Sequence, residues 1–156
     1  NNGAIIINNN VLDIYQNKFE LDKHICLFSS NSILFNDTFM NNITLDNKKY
    51  DKQKVNQLCD LTNISDWVNN QKDRLNTMID TLKGNFSDGQ KQKISLIRCL
   101  LKNKEILVFD ELEKHLDSET KNNVITYLNE IKNDKIIIIS SHDEHIKAMS
   151  DFVLEL

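Results

Sequence analysis

The stretch NFSDGQKQKISLIRCLLKNKEILVFDELEKHLD, from Asn85 to Asp117, leaves few folds open to this chain. It reads as a polar turn, a helix of about four turns, a short apolar strand and two adjacent carboxylates where that strand stops. Ser87 suits a helix N-cap and Gln90, three residues on, completes a capping box. The backbone amides of Asp88, Gly89 and Gln90 then point outward, where an anion could sit. Ile106-Leu107-Val108-Phe109 is an uninterrupted apolar run, the pattern of a strand covered on both faces, and Asp110-Glu111 lie at its carboxyl end. Open α/β sheets keep their chemistry at that edge.

The arrangement recurs about thirty residues later, where Ile136 to Ile139 forms a second buried-strand pattern that ends in Ser140-Ser141-His142-Asp143. Between the two, Val124, Ile125, Leu128 and Ile131 mark one face of a helix, so the unit is strand, helix, strand. A right-handed crossover makes the strands parallel and brings Asp110, Glu111 and His142 to one sheet edge.

The 156 residues suit one domain with a real core, and 40% hydrophobic content agrees. A net charge of -4 argues against a chain that works by neutralising nucleic-acid backbone. Cys26, Cys59 and Cys99 are odd in number, widely spaced and set among apolar residues, which suggests reduced, buried thiols. The longest aliphatic run is far too short to span a bilayer, and the amino end lacks a signal-peptide pattern. With no proline and three glycines, boundaries must come from periodicity.

Taken in order, Asn1-Asn2-Gly3 reads as a turn and Ala4 to Ile7 as a strand entering a hairpin, while Val11 to Leu21 has no clean period. His24 to Phe28 is the next strand, followed by the polar loop Ser29 to Ser32, and a short helix covers Phe39 to Ile43. His24 reads as a surface or satisfied residue. Val55, Leu58, Cys59, Leu61, Ile64, Trp67 and Val68 fit two short helices broken near Thr62-Asn63, with Trp67 as packing. Gln71 to Gly84 reads as an exposed connector, Glu144 to Ser150 as a helix and Phe152-Val153-Leu154 as a last strand.

Ser87 to Ile94, then Ile106 to Phe109 with Asp110-Glu111, then Leu116-Asp117, then Ser141-His142, resemble the signature motif, Walker B strand, D-loop and switch histidine of ABC-type ATPases, in order and spacing. Ile25 to Thr38 resembles the Q-loop region of exporter-type nucleotide-binding domains, with Leu34-Phe35-Asn36-Asp37-Thr38 the most exporter-like stretch. Leu75 to Ile79 resembles the connector that faces the coupling helices. The resemblance implies a P-loop NTPase-like α/β fold, a mostly parallel sheet flanked by helices with a small inserted helical subdomain. It places sheet-containing core at 1–35 and 104–156 and the helical subdomain, with the signature helix, at 38–103.

By that resemblance the chain is part of an ATPase using ATP and Mg2+ to drive export, at the cytoplasmic face of a membrane and within a transporter. Its partners are a second nucleotide-binding domain and transmembrane domains, with no nucleic acid. Asp110 would hold magnesium through water, Glu111 would be the general base and His142 would contact the γ-phosphate. Ser87 and Gly89 would serve the partner's γ-phosphate, Gln90 would support that helix end, and Asp117 would join the two halves. Each also has a plainer reading: a capping box, a solvated strand terminus, a helix cap beside Asp143.

Three departures accompany the resemblance. A GxxxxGK[ST] search meets only Gly84 to Lys91, with Gln90 at the lysine position and no strand before it, so no Walker A loop is present. The expectation is therefore a carboxyl-terminal two thirds of a domain, inactive alone. Ser30 stands where the Q-loop glutamine would be. Asp88 replaces the first glycine of the signature; its carboxylate either repels a γ-phosphate or turns outward to complement the helix dipole. Asp88→Gly is expected to raise ATP-driven dimerisation. Two rival readings are a chromosome- or repair-associated (SMC-like) ABC ATPase lobe, and a non-hydrolysing interaction module descended from such a domain.

Overall fold

The computed structural model describes residues 5–7, 10–12, 18–30, 33–45, 49–81 and 86–155. The expected turn at Asn1 to Gly3 and the loop positions Asn31 and Ser32 lie outside them. The chain opens with an antiparallel hairpin of β1 (Ile5–Ile7) and β2 (Asn10–Leu12), as the isoleucine run suggested. The patternless segment that follows holds α1 (Lys18–His24), leading directly into β3 (Ile25–Ser29). His24 thus ends a helix instead of starting a strand, and its Nδ1 lies 2.8 Å from Glu105 Oε2.

A small second layer comes next. β4 (Asp37–Thr38) runs into α2 (Phe39–Thr44), capped by the Thr38 hydroxyl, and α3 (Lys52–Leu61) and α4 (Ser65–Asn69) are the two short helices. Asn63, with φ 51°, makes the turn between them. β5 (Met78–Ile79) pairs antiparallel with β4. The exposed-connector reading of Gln71 to Gly84 fails at one described position: Ile79 is fully buried, because pairing with Asp37 draws it into the core, while Met78 faces outward and the other described residues are exposed or half-buried; 82–84 lie outside the described residues. Trp67 packs as expected, 4.8 Å from Phe86 and 6.1 Å from Phe39 between ring centroids.

The remaining elements are α5 (Asp88–Leu101), β6 (Ile106–Asp110), α6 (Ser118–Ile131), β7 (Ile136–Ser140) and α7 (Glu144–Met149). β3, β6 and β7 form a parallel sheet with β6 in the middle, in the register Phe28, Phe109, Ile139 across the strands. Alternation sends Cys26, Phe28, Leu107, Phe109, Ile137 and Ile139 to one face. There they join one core with the buried side chains of α5 (Ile94, Ile97) and α6 (Val124, Leu128). The other face carries Leu27, Ile136 and Ile138, which are 63%, 60% and 54% exposed. The expectation of strands covered on both faces is therefore corrected. Among the described residues the sheet is covered on one face only, and β7 lies at its edge. Phe152 to Leu154 is not a strand but an exposed tail, having no neighbour to pair with among the described residues.

Candidate functional site

Parallel pairing decides where the strand-end side chains go. Ser29, Asp110 and Ser140 are in register at the carboxyl edge of the three strands, so the residues after them, Ser30, Glu111 and Ser141, lie side by side. The Glu111 amide donates to the Ser140 carbonyl at 3.1 Å, extending the ladder one step beyond β6. Glu111 itself turns into the left-handed region with φ 52°, a conformation that a residue with a Cβ seldom adopts and that concentrates at functional sites. This turn throws its carboxylate out of the strand and over the rim.

Two groups hold that carboxylate, both at Oε2: Lys114 Nζ at 2.9 Å and the Ser30 hydroxyl at 3.3 Å. Hydrogen bonding and charge from Lys114 pull the Glu111 carboxyl below the ordinary glutamate range, with smaller help from Ser30 and from the nearby His142 imidazole. The register sets Ser140 across from Asp110, so His142, two residues past β7, lies at the same rim as Glu111. Its backbone amide donates to Glu113 Oε1 at 3.1 Å, and the Ser141 hydroxyl donates to the same oxygen at 2.8 Å. Glu113 therefore fixes the loop that presents His142, while its Oε2 is buried without a partner. Asp110 is exposed at the end of β6, close enough to raise the Lys114 ammonium pKa together with Glu111.

The capped helix end expected at Ser87 is there. Ser87 Oγ accepts from the Gln90 amide at 3.2 Å and Gln90 Oε1 accepts from the Ser87 amide at 3.0 Å, the two halves of a capping box. The box engages the Gln90 amide, so of the three amides expected to face outward that one is already bound. Ser87 and Asp88 are exposed at the surface, while Phe86 beneath them is buried. Asp88 turns along its own helix to Lys91 Nζ at 2.9 Å, which lowers its carboxyl pKa. The outward alternative for Asp88 is the one adopted. Gly89 is needed for a close approach: a Cβ there would stand 3.0 Å from the His115 carbonyl, in the loop that leads to Asp117.

Asp117 caps α6, its Oδ1 accepting from the Thr120 amide at 2.8 Å, and its Oδ2 is 2.7 Å from Lys93 Nζ. Burial pushes its carboxyl pKa up, but the Lys93 and Thr120 hydrogen bonds outweigh this and leave it well below the aspartate range. Gln92, fully within α5, donates to the Ser30 carbonyl and ties α5 to the residue after β3. Lys93, Gln92, Glu113 and Lys114 carried no expectation from sequence. The roles of Gln92, Lys93 and Glu113 depend on partners tens of residues away, whereas Lys114 lies three positions from Glu111, a spacing present in the sequence.

A hard cation of magnesium type takes one or two carboxylates plus phosphate and water oxygens. Among the described residues no cluster of three or more acidic, histidine or cysteine side chains could hold a metal on its own. The exposed Asp110 carboxylate fits as the single protein acid in such a set.

The family model described as ABC transporter matches residues 1–113. An ATP-dependent lipid A-core flippase of Aliivibrio fischeri is 35% identical over 123 residues, 78% of this chain and 21% of that protein. A putative export ATP-binding/permease protein of Rickettsia typhi is 31% identical over 154 residues, 98% of this chain and 26% of its own length. A lactococcin-G-processing and transport ATP-binding protein of Lactococcus lactis is 28% identical over 93% of this chain and 20% of its own. The solved structure of a bacterial Atm1-family ABC exporter with ATP bound superposes with a TM-score of 0.83 at 25% identity, covering 96% of this chain and 26% of that one. The chain spans about a fifth to a quarter of the length of these relatives.

Proposed function

Because the chain belongs to the ABC transporter family, we propose that it is part of the nucleotide-binding domain of an exporter, where ATP hydrolysis is coupled to movement of a substrate across a membrane. It would work at the cytoplasmic face, beside transmembrane domains and paired with a second nucleotide-binding domain. Among the described residues no helix is long and apolar enough to cross a membrane itself. The sheet-bearing parts are assigned to 1–35 and 104–156 and the helical part to 38–103.

The observation that carries this reading is the meeting of Glu111, His142 and Ser30 on one sheet rim. Glu111 accepts the proton of the attacking water. Both of its contacts fall on Oε2, and Oε1 has no protein partner among the described residues, so a water can dock there. Lys114 keeps the carboxyl ionised, as a base must be. His142 contacts the γ-phosphate, and Asp110 would hold Mg2+, which when bound neutralises phosphate charge. Ser30 supplies a hydroxyl where the family's Q-loop has a glutamine. Ser87 and Gly89 donate to the γ-phosphate bound by the partner domain, in a homodimer or heterodimer, with Gln90 bracing the helix end and Asp117 linking the halves.

A non-hydrolysing module remains the second reading, favoured by the grip of Lys114 on Glu111 together with Ser30 and Asp88. The two separate in the full assembly. Glu111→Gln and His142→Ala are expected to lower ATP turnover by about 10²-fold or more while ATP binding persists. If neither variant changes turnover, or if the unaltered assembly shows none, the hydrolytic reading is wrong.

A further inference from the structure

The loop that carries His142 is held from two sides. It spans 141–143, between the end of β7 and the start of α7, and β7 is an edge strand that pairs only with β6 among the described residues. His142 itself is exposed. A side chain so placed has little of its own to keep it at one position. Glu113 supplies an anchor from the loop after β6, its Oε1 accepting from the Ser141 hydroxyl at 2.8 Å and from the His142 amide at 3.1 Å. The same hydroxyl accepts from the Asp143 amide at 2.9 Å. On the far side Asp143 caps α7, its Oδ1 accepting from the His145 amide at 2.8 Å, and its Oδ2 lies 2.6 Å from Lys121 Nζ of α6, with both side chains largely buried.

We propose that Glu113 is a positioning residue for the hydrolysis proposed above: it sets the spacing between Glu111 and His142 and acts through His142, not on the substrate. This rests on the ATPase reading. Glu113 stands two positions from Glu111, and Leu112 between them is fully buried, so the segment bearing both carboxylates is pinned to the core. The base and the γ-phosphate contact are therefore joined by a short link, made of Glu111, the buried leucine, Glu113 and one hydrogen bond to the His142 amide. The middle strand, which ends in Asp110, thus dictates where the histidine of the edge strand stands. A misplacement of about 1 Å at reacting groups can cost about 10²-fold in rate, so a link of this kind acts on turnover.

The placement of Glu113 separates this role from that of a surface acid. An acid kept only for solubility turns both oxygens to water; here Oε1 takes two donors, and Oε2 is buried with no partner. A buried acceptor without a donor costs stability, and such groups are rare enough in folded proteins to need a reason beyond packing. Lys114, the next residue, goes the other way, to Glu111 Oε2 at 2.9 Å. Adjacent side chains of one loop thus serve the two groups of the proposed reaction separately, Lys114 on the base and Glu113 on the histidine.

The test uses the full assembly and two readouts. Glu113→Ala should lower turnover at saturating ATP by about tenfold or more with the KM for ATP within about threefold, and Glu113→Gln, whose amide oxygen still accepts, should recover most of the loss. Ser141→Ala, a second version that leaves the carboxylate in place, should give a smaller loss of the same kind. In a His142→Ala background Glu113→Ala should cost little more, because its effect passes through that histidine. Hydrogen–deuterium exchange in the nucleotide-free assembly should quicken about tenfold in the peptide holding 141–143 for Glu113→Ala, with α3 and α5 unchanged. Unchanged exchange, faster exchange with unaltered turnover, or a full further loss in the His142→Ala background overturns the proposal. An unaltered assembly without turnover fails the ATPase reading and the positioning role with it; quickened exchange in Glu113→Ala then tells that failure apart from a missing link between the two loops.

Discussion

Glu111 is held by a residue that its motif does not specify. Lys114 reaches back three positions to the same oxygen that Ser30 approaches, and its hydrogen bond, followed by its charge, is the largest cause of the depressed Glu111 pKa. As the proposed base, Glu111 must be ionised to act, so the proposed hydrolysis is expected to fail as pH falls through the pKa of that carboxyl. Without Lys114 this pKa rises. Lys114→Gln is therefore expected to move the acid limb of the pH–turnover profile to higher pH, and Lys114→Arg to restore it. An unmoved limb in Lys114→Gln would mean that the ion pair holds the loop and does not tune the base.

Among the elements, α6 shows how much one cap carries. Asp117 satisfies the Thr120 amide at the start of α6 and pairs with Lys93 on α5, so it joins two helices as well as ending a loop. Asp117→Ala should lower stability by about 1 kcal/mol through loss of the cap, measured by denaturant unfolding, with Asp117→Asn much closer to the unaltered chain because the amide oxygen still accepts. The pH dependence has a definite sign. The folded Asp117 pKa is depressed, so its contribution is complete above the ordinary aspartate value near about 4 and disappears as pH falls below it. Lys93→Met should flatten that acid loss; an unchanged acid slope would assign it to other carboxylates.

Elements with strong local grammar were legible before any coordinates: the capping box of α5, the period of α6 and the two apolar runs that became β6 and β7. What escaped was set by distant neighbours. α1 lies in a segment without clean periodicity, β5 exists because Asp37 lies across from Ile79, and the β7 isoleucines look identical in sequence although alternate ones are exposed. At the site, Glu111, His142 and Ser87 were readable from motif spacing, whereas Lys93 and Glu113 acquire meaning only through contacts that the fold creates.

At the scale of the molecule, a sheet covered on one side among the described residues leaves Leu27 on β3 and Ile136 and Ile138 on β7 facing outward, with the half-buried Ile106 and Val108 of β6 between them. Contiguous apolar surface of this kind marks an interaction face. The 156-residue chain by itself should bind a fluorescent apolar dye, and Leu27→Lys with Ile138→Lys should reduce the signal; an equal signal would place the dye elsewhere. The other end, with Ser87 and Asp88 exposed and Gly89 half-buried beside them, is where a second molecule's triphosphate is proposed to meet this one. The most direct measurement places a cysteine there, as Asp88→Cys in a Glu111→Gln background of the full assembly, and follows its maleimide labelling by peptide mapping. ATP with Mg2+ should protect position 88 strongly and ADP should not; labelling at one rate with ATP, with ADP and with neither would contradict a nucleotide shared between two molecules.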